Sequence, residues 1–139
     1  MECEEIFIEE KIIAYLLILG INPSLKGFSY FKEGVKKIIK DPAKKFNVHK
    51  KLYKELSEGN GRDELVDRAM RHAIEVSVKK NGIIEFEKRS HVCFSSLRPT
   101  PREFLSLLAE TVMLDVREFR SSNSKILKYW QDEIGGIEK

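Results

Sequence analysis

The segment RDELVDRAMRHAIEVSVKK, residues 62–80, decides the predicted fold of this chain. Small and apolar side chains recur in it every three or four residues, which is the period of an α-helix with one buried stripe. The pair Asn81-Gly82 follows as a stop signal. We therefore predict an amphipathic helix, whose inward stripe consists of Val66, Ala69, Met70, Ala73, Ile74 and Ser77.

The opposite face of this helix is polar and carries Glu64, Asp67, Arg68, Arg71, His72 and Glu75. Arginine can bond to guanine through O6 and N7, and a carboxylate can accept from the amino group of cytosine, so a mixed face can read bases. A plainer interpretation is pairing within the helix, because three oppositely charged pairs are four residues apart: Glu64–Arg68, Asp67–Arg71 and Arg71–Glu75. Both interpretations can hold in the free protein.

A shorter amphipathic helix is predicted just upstream, over residues 50–57, with Leu52, Tyr53 and Leu56 on its apolar side. It stops at the turn signal EGNG, residues 58–61. Two helices joined by a glycine-containing turn, the second longer and basic outside, form the pattern of a helix-turn-helix, here over residues 48–80. Because such helix pairs occur throughout all-α proteins, the prediction of DNA binding rests on the polar face.

The rest of the chain completes the prediction of a compact all-α bundle, with further helices over about residues 4–19, from 22 or 27 to 41, 101–119 and 124–134. The first is apolar on nearly every side in its second half, so we expect it to be central and buried, with Gly20 as its C-terminal cap. The sequence TPRE (100–103) is the clearest helix start, because it combines a threonine cap, proline at the first position and a capping-box glutamate. Residues 83–97 alternate like a short hairpin yet could equally form one helical turn and a loop.

Charge is distributed unevenly along this chain of 139 residues, whose length suits one domain. The first ten residues carry five glutamates, whereas ten lysines between Lys26 and Lys54 are accompanied only by Glu33 and Asp41. This asymmetry predicts one surface that attracts a polyanion and another that repels it. The alternative is an ordinary solvated, lysine-rich helix face.

Composition argues against export and membrane residence. The longest apolar run, residues 12–19, is too short to cross a bilayer, and the acidic N-terminus does not fit a signal peptide. The two isolated cysteines, Cys3 and Cys93, favour reduced thiols over a disulfide framework. We therefore expect a soluble cytoplasmic protein.

Metal and catalytic sites are poorly supported. His91 and Cys93 could both ligate a metal, but a closed zinc site needs a full tetrahedral set, and the remaining soft candidates are scattered: Cys3, His49 and His72. The chain has no phosphate-cradling glycine loop and no nucleophile elbow. We expect no metal, no cofactor and no enzymatic activity.

Three blocks of the sequence resemble one family. They are LGINPSLKGFSYFKE (19–33), RAMRHAIEV (68–76), and Pro99-Thr100 followed by Glu103-Phe104 and Ala109-Glu110. Their order and spacing resemble those of the C-terminal effector domain of the bacterial master regulator of sporulation initiation, over about residues 12–118. We take this as a specific resemblance.

The resemblance implies a six-helix domain that inserts the helix of residues 62–80 into the major groove of double-stranded DNA. It also implies that the domain can bind as tandem copies on adjacent sites. Assembly as a homodimer is the alternative. By motif position, Arg68, Arg71 and His72 would contact bases or nearby phosphates, and Asp67 stands where the family usually has glutamate. The candidate DNA-binding residues are Arg62, Asp67, Arg68, Arg71, His72, Lys79, Lys26, Lys50 and Lys51.

Two features depart from the family pattern. The turn at residues 57–61 is irregular and about one residue shorter, and nothing in the chain resembles a receiver domain, so we expect no switching by aspartyl phosphorylation within it. We interpret residues 1–120 as the DNA-binding domain and 121–139 as an additional C-terminal helix. That helix is either core or a dimerisation element, through Ile126, Leu127, Trp130 and Ile134.

Two hypotheses for function remain. The first is a sequence-specific transcription regulator, which the retained Arg68, Arg71 and His72 favour. The second is a DNA-incompetent or weakly binding relative that modulates a full-length sporulation regulator by protein contacts, for example by blocking its tandem assembly. The irregular turn, the missing receiver domain and the acidic N-terminus favour the second.

Overall fold

The computed structural model describes residues 2–59 and 61–129, which form six α-helices and, within these ranges, no strand. The prediction of an all-α bundle is confirmed. Between the second and third helices the chain makes a 3-10 turn, Pro42–Phe46, and a π-helical turn, Val48–Leu52. The α-helices are α1 (Glu2–Ile18), α2 (Lys26–Lys40), α3 (Tyr53–Leu56), α4 (Asp63–Lys79), α5 (Gly82–Ser90) and α6 (Pro101–Tyr129).

The centre of the bundle is α2, which contacts α1, α4 and α6. Phe31 of α2 is fully buried, and its ring centroid lies 4.7 Å from that of Phe104 on α6. Phe94, between α5 and α6, stacks on Phe104 with a centroid distance of 5.4 Å. The prediction that α1 is central and buried was wrong in part, because Leu16 is fully buried but Leu17 is 51% exposed. Part of the apolar surface of α1 therefore faces solvent.

Two predicted helix ends are confirmed. Gly20 has a φ of +81°, and the Ile21 N–H donates to the Leu16 carbonyl oxygen at 3.0 Å, which is the Schellman cap of α1. At the start of α6 the Glu103 N–H donates to Thr100 Oγ1 at 3.2 Å. The Thr100 N–H donates in return to Glu103 Oε1 at 3.5 Å, which completes the capping box.

Residues 83–97 form no hairpin, because most of them belong to α5 or to the irregular segment 91–100 that follows it. Ile83 and Phe86 are both buried, and their helical spacing prevails over the alternating pattern. A Cβ at position 82 would lie 1.8 Å from the Leu19 carbonyl oxygen. Only glycine therefore allows α5 to begin against the end of α1.

Helix α6 continues past Phe119, where the sequence predicted a break. The first half of α1 lies antiparallel to this extension: the Phe7 ring stacks on Phe119 at 4.3 Å, and Arg120 Nη2 lies 2.6 Å from Glu4 Oε1. This packing prevails over the weak helix propensity of the serines and asparagine in residues 121–124. The apolar stripe that was predicted for the C-terminal helix lies outside the described part, which includes neither the side chains of Ile126 and Leu127 nor residues Trp130 and Ile134.

Candidate nucleic-acid interface

The two helices of the predicted helix-turn-helix are α3 and α4. Helix α3 is a single turn that follows directly on the π-helical turn, so the first helix of the pair is less regular than the predicted one. Glu58 follows it with a φ of +57°, and the Gly59 N–H donates to the Lys54 carbonyl oxygen at 2.9 Å, as in a Schellman cap. The buried Ser57 Oγ lies 3.1 Å from Oδ1 of Asp63, the first residue of α4. These contacts tie the start of α4 to the end of α3.

Helix α4 has the two faces that its sequence predicts. Its inward face is buried at Val66, Met70, Ala73, Ile74 and Ser77. Gly27 of α2 packs directly against this helix, because a Cβ at position 27 would lie 2.6 Å from the Ala69 carbonyl oxygen and 2.7 Å from Ala73 Cβ. The exposed side chains on the outer face include Arg62, Glu64, Arg68, Arg71 and His72. The close approach of α2 thus sets how far α4 stands out from the bundle.

A hollow of about 590 Å³ lies between the start of α2 and the outer face of α4. Four candidate DNA-binding residues line it together with Ser24 and Tyr30: Lys26, Arg62, Arg68 and His72. These four residues come from two separate parts of the chain, and none of them forms an ion pair with another residue in the part that the structure describes. The described lining of the hollow therefore gathers three cationic side chains and a histidine, with no acidic side chain among them.

A second hollow, of about 410 Å³, lies on the other side of Arg68 and is lined by Tyr53, Asp63, Glu64, Asp67, Arg68 and Arg71. Arg68 borders both hollows, so it lies between them on the outer face of α4. The predicted Glu64–Arg68 ion pair is absent from the described ranges. Arg68 therefore keeps its hydrogen-bond donors available to a ligand.

Asp67 links α3 to α4. Its Oδ1 accepts a hydrogen bond of 2.7 Å from the Tyr53 hydroxyl, and its Oδ2 accepts one of 2.8 Å from Arg71 Nε. Burial, together with the hydrogen bond to Asp67, raises the pKa of Tyr53 above its ordinary value. The hydrogen bond to Asp67 also raises the pKa of Arg71. The phenol thus stays protonated and the guanidinium charged over the whole physiological range.

Sequence reasoning assigned Tyr53 to the apolar stripe of α3 and missed this contact. Tyr53 is 1% exposed, so the core assignment is confirmed, but its hydroxyl serves the site. A signal was present in the sequence, since a buried tyrosine hydroxyl usually requires a polar partner. The sequence could not indicate which carboxylate provides it.

Of the three ion pairs predicted within α4, only Asp67–Arg71 occurs among the described residues. Glu75 instead accepts a hydrogen bond from Arg98, whose Nη1 lies 2.5 Å from Glu75 Oε1. Arg98 belongs to the irregular segment between α5 and α6, so this contact joins that segment to α4. The prediction of an Arg71–Glu75 pair was wrong, because each residue has a different partner.

The lysine-rich stretch does not form one separate basic surface. Lys36 Nζ lies 2.5 Å from Oε1 of Glu9, and Lys32 Nζ lies 3.7 Å from the same oxygen. The hydrogen bond from Lys36 lowers the pKa of Glu9 below its ordinary value. Lys44 pairs with Glu55 at 2.8 Å. The predicted separation of acidic and basic surfaces was wrong here, because α1 brings Glu9 against Lys32 and Lys36 of α2.

Two further candidates, Lys79 and Lys51, do not line the hollow at Arg68. Lys79 is exposed at the C-terminal end of α4, about 24 Å along the helix axis from its start, at a rise of about 1.5 Å per residue. Lys51 is exposed in the π-helical turn. The side chain of Lys50 lies outside the described part.

Within the described ranges no three histidine, cysteine, aspartate or glutamate side chains come together as a metal site. His91 ends α5 in a left-handed conformation, with a φ of +59°, and Cys93 is exposed nearby. No helix in the described part is long and apolar enough to span a membrane.

A comparison with protein families gives one match that covers well over half of the chain. The family model described as "Sporulation initiation factor Spo0A C terminal" matches residues 12–112. The match includes both helices of the helix-turn-helix and the residues that line the basic hollow. The chain therefore belongs to the Spo0A C-terminal family, the DNA-binding effector domain of a sporulation-initiation regulator.

Proposed function

We propose that this chain is a transcription regulator that binds double-stranded DNA sequence-specifically through the outer face of α4. One observation carries the proposal: Lys26, Arg62, Arg68 and His72 converge on a single surface hollow without ion-pair partners in the described part. A protein surface concentrates such uncompensated charge where it meets a polyanion. Its place of action is the bacterial cytoplasm, where the chromosome lies.

The residues divide between two kinds of contact. Phosphate contacts position a protein on the duplex, and base contacts specify the sequence. Lys26 and Arg62, at the starts of α2 and α4, line the same hollow and suit phosphates at one edge of the groove. Arg68 and Arg71 lie further along α4, where their forked donors suit the O6 and N7 atoms of guanine. His72 completes the rim of the hollow.

A titration tests this function. The preferred site is first defined by the duplexes that the full chain retains from a randomised pool. Fluorescence anisotropy then measures the affinity for one such duplex and for a scrambled duplex of the same length, at the same salt concentration. We expect affinities that differ by about 10³-fold or more, as specific binding requires. Equal affinities for the two duplexes would refute sequence-specific binding.

A second function, modulation of a full-length sporulation regulator, is favoured by one feature of the helix pair α1–α6. This pair extends beyond both ends of the family match, and its surface includes the exposed apolar side chains of Ile6 (57%) and Leu114 (48%). Such a surface suits contact with another copy of this chain or with the full-length regulator on an adjacent site.

Adding the chain to the full-length regulator on DNA with two adjacent sites separates the two functions. If the Arg68→Ala variant still displaces or blocks the full-length regulator, protein contact is sufficient for the effect. If only the parent chain competes, DNA binding is the mechanism.

A further inference from the structure

We propose that Asp67 does not read a base in this chain, and that Tyr53 and Asp67 act together as positioning residues which set the base contact of Arg71. This inference rests on the proposed function, because it assigns roles within the same DNA-binding face. It makes Tyr53, a buried residue of α3, a determinant of the DNA sequence that α4 prefers.

The first step is the orientation of the Asp67 carboxylate. One of its oxygens accepts from the Tyr53 hydroxyl at 2.7 Å, and the other accepts from Arg71 Nε at 2.8 Å. Tyr53 is 1% exposed, so its hydroxyl draws the carboxylate toward the bundle. The Asp67 side chain is accordingly 24% exposed, whereas that of Arg71 is 56% exposed. Arg71, and not Asp67, is therefore the side chain of this pair that is exposed to the major groove of a bound duplex.

The second step is the chemistry of the exposed arginine. Its Nε is engaged by Asp67, which leaves both terminal nitrogens of the fork to meet a ligand. Two donors in a fixed plane match the O6 and N7 acceptors of guanine. A guanidinium held at Nε loses less conformational freedom when it binds, because its orientation is already set.

The third step compares the two uses of Asp67. The carboxylate of Asp67 has acceptor positions left over, but its two hydrogen bonds hold it toward Tyr53 and beside Arg71. Turning it outward to a cytosine amino group would break the hydrogen bond to the buried Tyr53 hydroxyl. A bond to cytosine would also be charge-assisted, but it would leave the buried Tyr53 hydroxyl without this acceptor, so the exchange brings no net gain. The acid therefore contributes to recognition only through the arginine that it holds.

A base-preference profile of the full 139-residue chain tests the inference. The probe is a duplex selected by the parent chain from a randomised pool, together with all of its single-base-pair substitutions. Arg71→Ala should flatten the preference at one base-pair position, or at two adjacent ones. Tyr53→Phe and Asp67→Asn should weaken the preference at the same position by about five-fold to ten-fold, and leave the other positions as they are.

Tyr15→Phe is the matched control. The Tyr15 hydroxyl donates to Asp115, so the pair repeats the phenol–carboxylate contact on the α1–α6 side of the bundle. Both tyrosines are half-buried or buried, and burial raises the pKa of each. Tyr15→Phe should therefore lower the melting temperature without changing the base-preference profile, which separates positioning from mere stabilisation.

Several results would overturn the inference. If Asp67→Asn weakens the base preference at a base-pair position where Arg71→Ala leaves the preference unchanged, Asp67 reads a base itself. If Tyr53→Phe folds and its base-preference profile is unchanged, Tyr53 has no role in recognition. If Tyr53→Phe does not fold, Asp67→Asn tests the inference, because it should weaken the preference at the same base-pair position as Arg71→Ala. In both cases, a base preference of the unsubstituted chain would still support the proposed function. A parent chain without any base preference would refute both.

Discussion

At the scale of single residues, the hydroxyl of Tyr53 is the group whose role differs most from its sequence-based interpretation. It is part of the core and also a hydrogen-bond donor to Asp67 of α4. A hydrogen bond between a hydroxyl and a charged group contributes about 1.5–3 kcal/mol to stability. The contact is therefore large enough to influence both folding and the position of Arg71.

This hydrogen bond makes the stability of the protein depend on pH in the alkaline range. The pKa of Tyr53 is raised in the folded state from an ordinary value of 10.0, so its contribution is fully present below about pH 10 and is lost as the pH rises further. Tyr53→Phe should reduce the free energy of unfolding by about 1.5–3 kcal/mol at pH 8. The difference between parent and variant should shrink by about 1 kcal/mol at pH 11.

Urea unfolding of both proteins between pH 8 and pH 11 measures this difference, and the titration of lysines cancels because the two proteins share them. A difference that stays constant up to pH 11 would contradict a phenol that is held protonated by burial and by Asp67.

At the scale of elements, the packing of α2 against α4 controls how far α4 stands out from the bundle. Gly27 allows this approach, since an added Cβ would lie 2.6 Å from the Ala69 carbonyl oxygen. Glycine has a lower helix propensity than alanine, by about 1 kcal/mol in a helix interior and by less in the first turn, where Gly27 lies. The sequence therefore gives up helix stability to bring the two helices together.

Gly27→Ala should move α4 away from α2 and destabilise the protein by about 1–3 kcal/mol, the usual cost of overpacking. The clash is with backbone, which yields less readily than a side chain, so it outweighs the gain in helix propensity. The urea midpoint measures the effect. Ser29→Ala, at an exposed position of the same helix, should change stability by no more than about 0.5 kcal/mol. Equal stability of Gly27→Ala and the parent would show that the contact is not close.

The sequence predicted those elements whose signals are local. The stripe of α4, the Gly20 cap and the capping box at Thr100 each depend on residues a few positions apart, and all three are present. The α5 helix and the uninterrupted α6 helix were missed, because contacts with α1 decide them: Gly82 packs on Leu19, and Phe119 stacks on Phe7. Neither contact is visible in the local pattern.

The candidate site also has residues that a local pattern predicts and contacts that only the fold determines. Arg68, Arg71 and His72 could be named from the helical period alone, and the structure places all three on the exposed face. The partners of Asp67 and Glu75 could not, because Tyr53 and Arg98 reach α4 from other segments. Electrostatic contacts between segments require the fold.

At the scale of the whole molecule, positive charge is partly compensated on the α1–α2 side, whereas the lining of the hollow at Lys26, Arg62 and Arg68 includes no acidic side chain. Lys36 is held by Glu9 and Glu33, at 2.5 and 3.5 Å. Lys26, in contrast, is exposed beside Arg62 and Arg68 at the hollow. The net charge of +3 therefore understates the positive potential that DNA would meet.

Binding should weaken steeply as salt rises, because each phosphate contact releases counterions. Anisotropy titrations between about 50 and about 200 mM salt give the slope of log affinity against log salt. Lys26→Ala should lower the magnitude of this slope by about one. Lys36→Ala should leave it unchanged, since Lys36 faces Glu9 and not the hollow. Equal effects of the two substitutions would mean that the contacting surface extends over α1 and α2.

The central claim is that the outer face of α4 reads the DNA sequence, and Arg68 tests it most directly. Arg68 borders both hollows and has no ion-pair partner within the described residues, so its removal should leave the fold intact. Arg89→Ala is the control, because Arg89 is an exposed arginine that pairs with Glu85 on α5.

The decisive measurement is the affinity of the parent, Arg68→Ala and Arg89→Ala for the selected duplex and for random DNA, at one salt concentration and with matched circular dichroism spectra. Arg68→Ala should lose about 1–3 kcal/mol on the selected duplex and much less on random DNA, while Arg89→Ala behaves as the parent. If folded Arg68→Ala discriminates between the two duplexes as well as the parent does, α4 is not the reading helix.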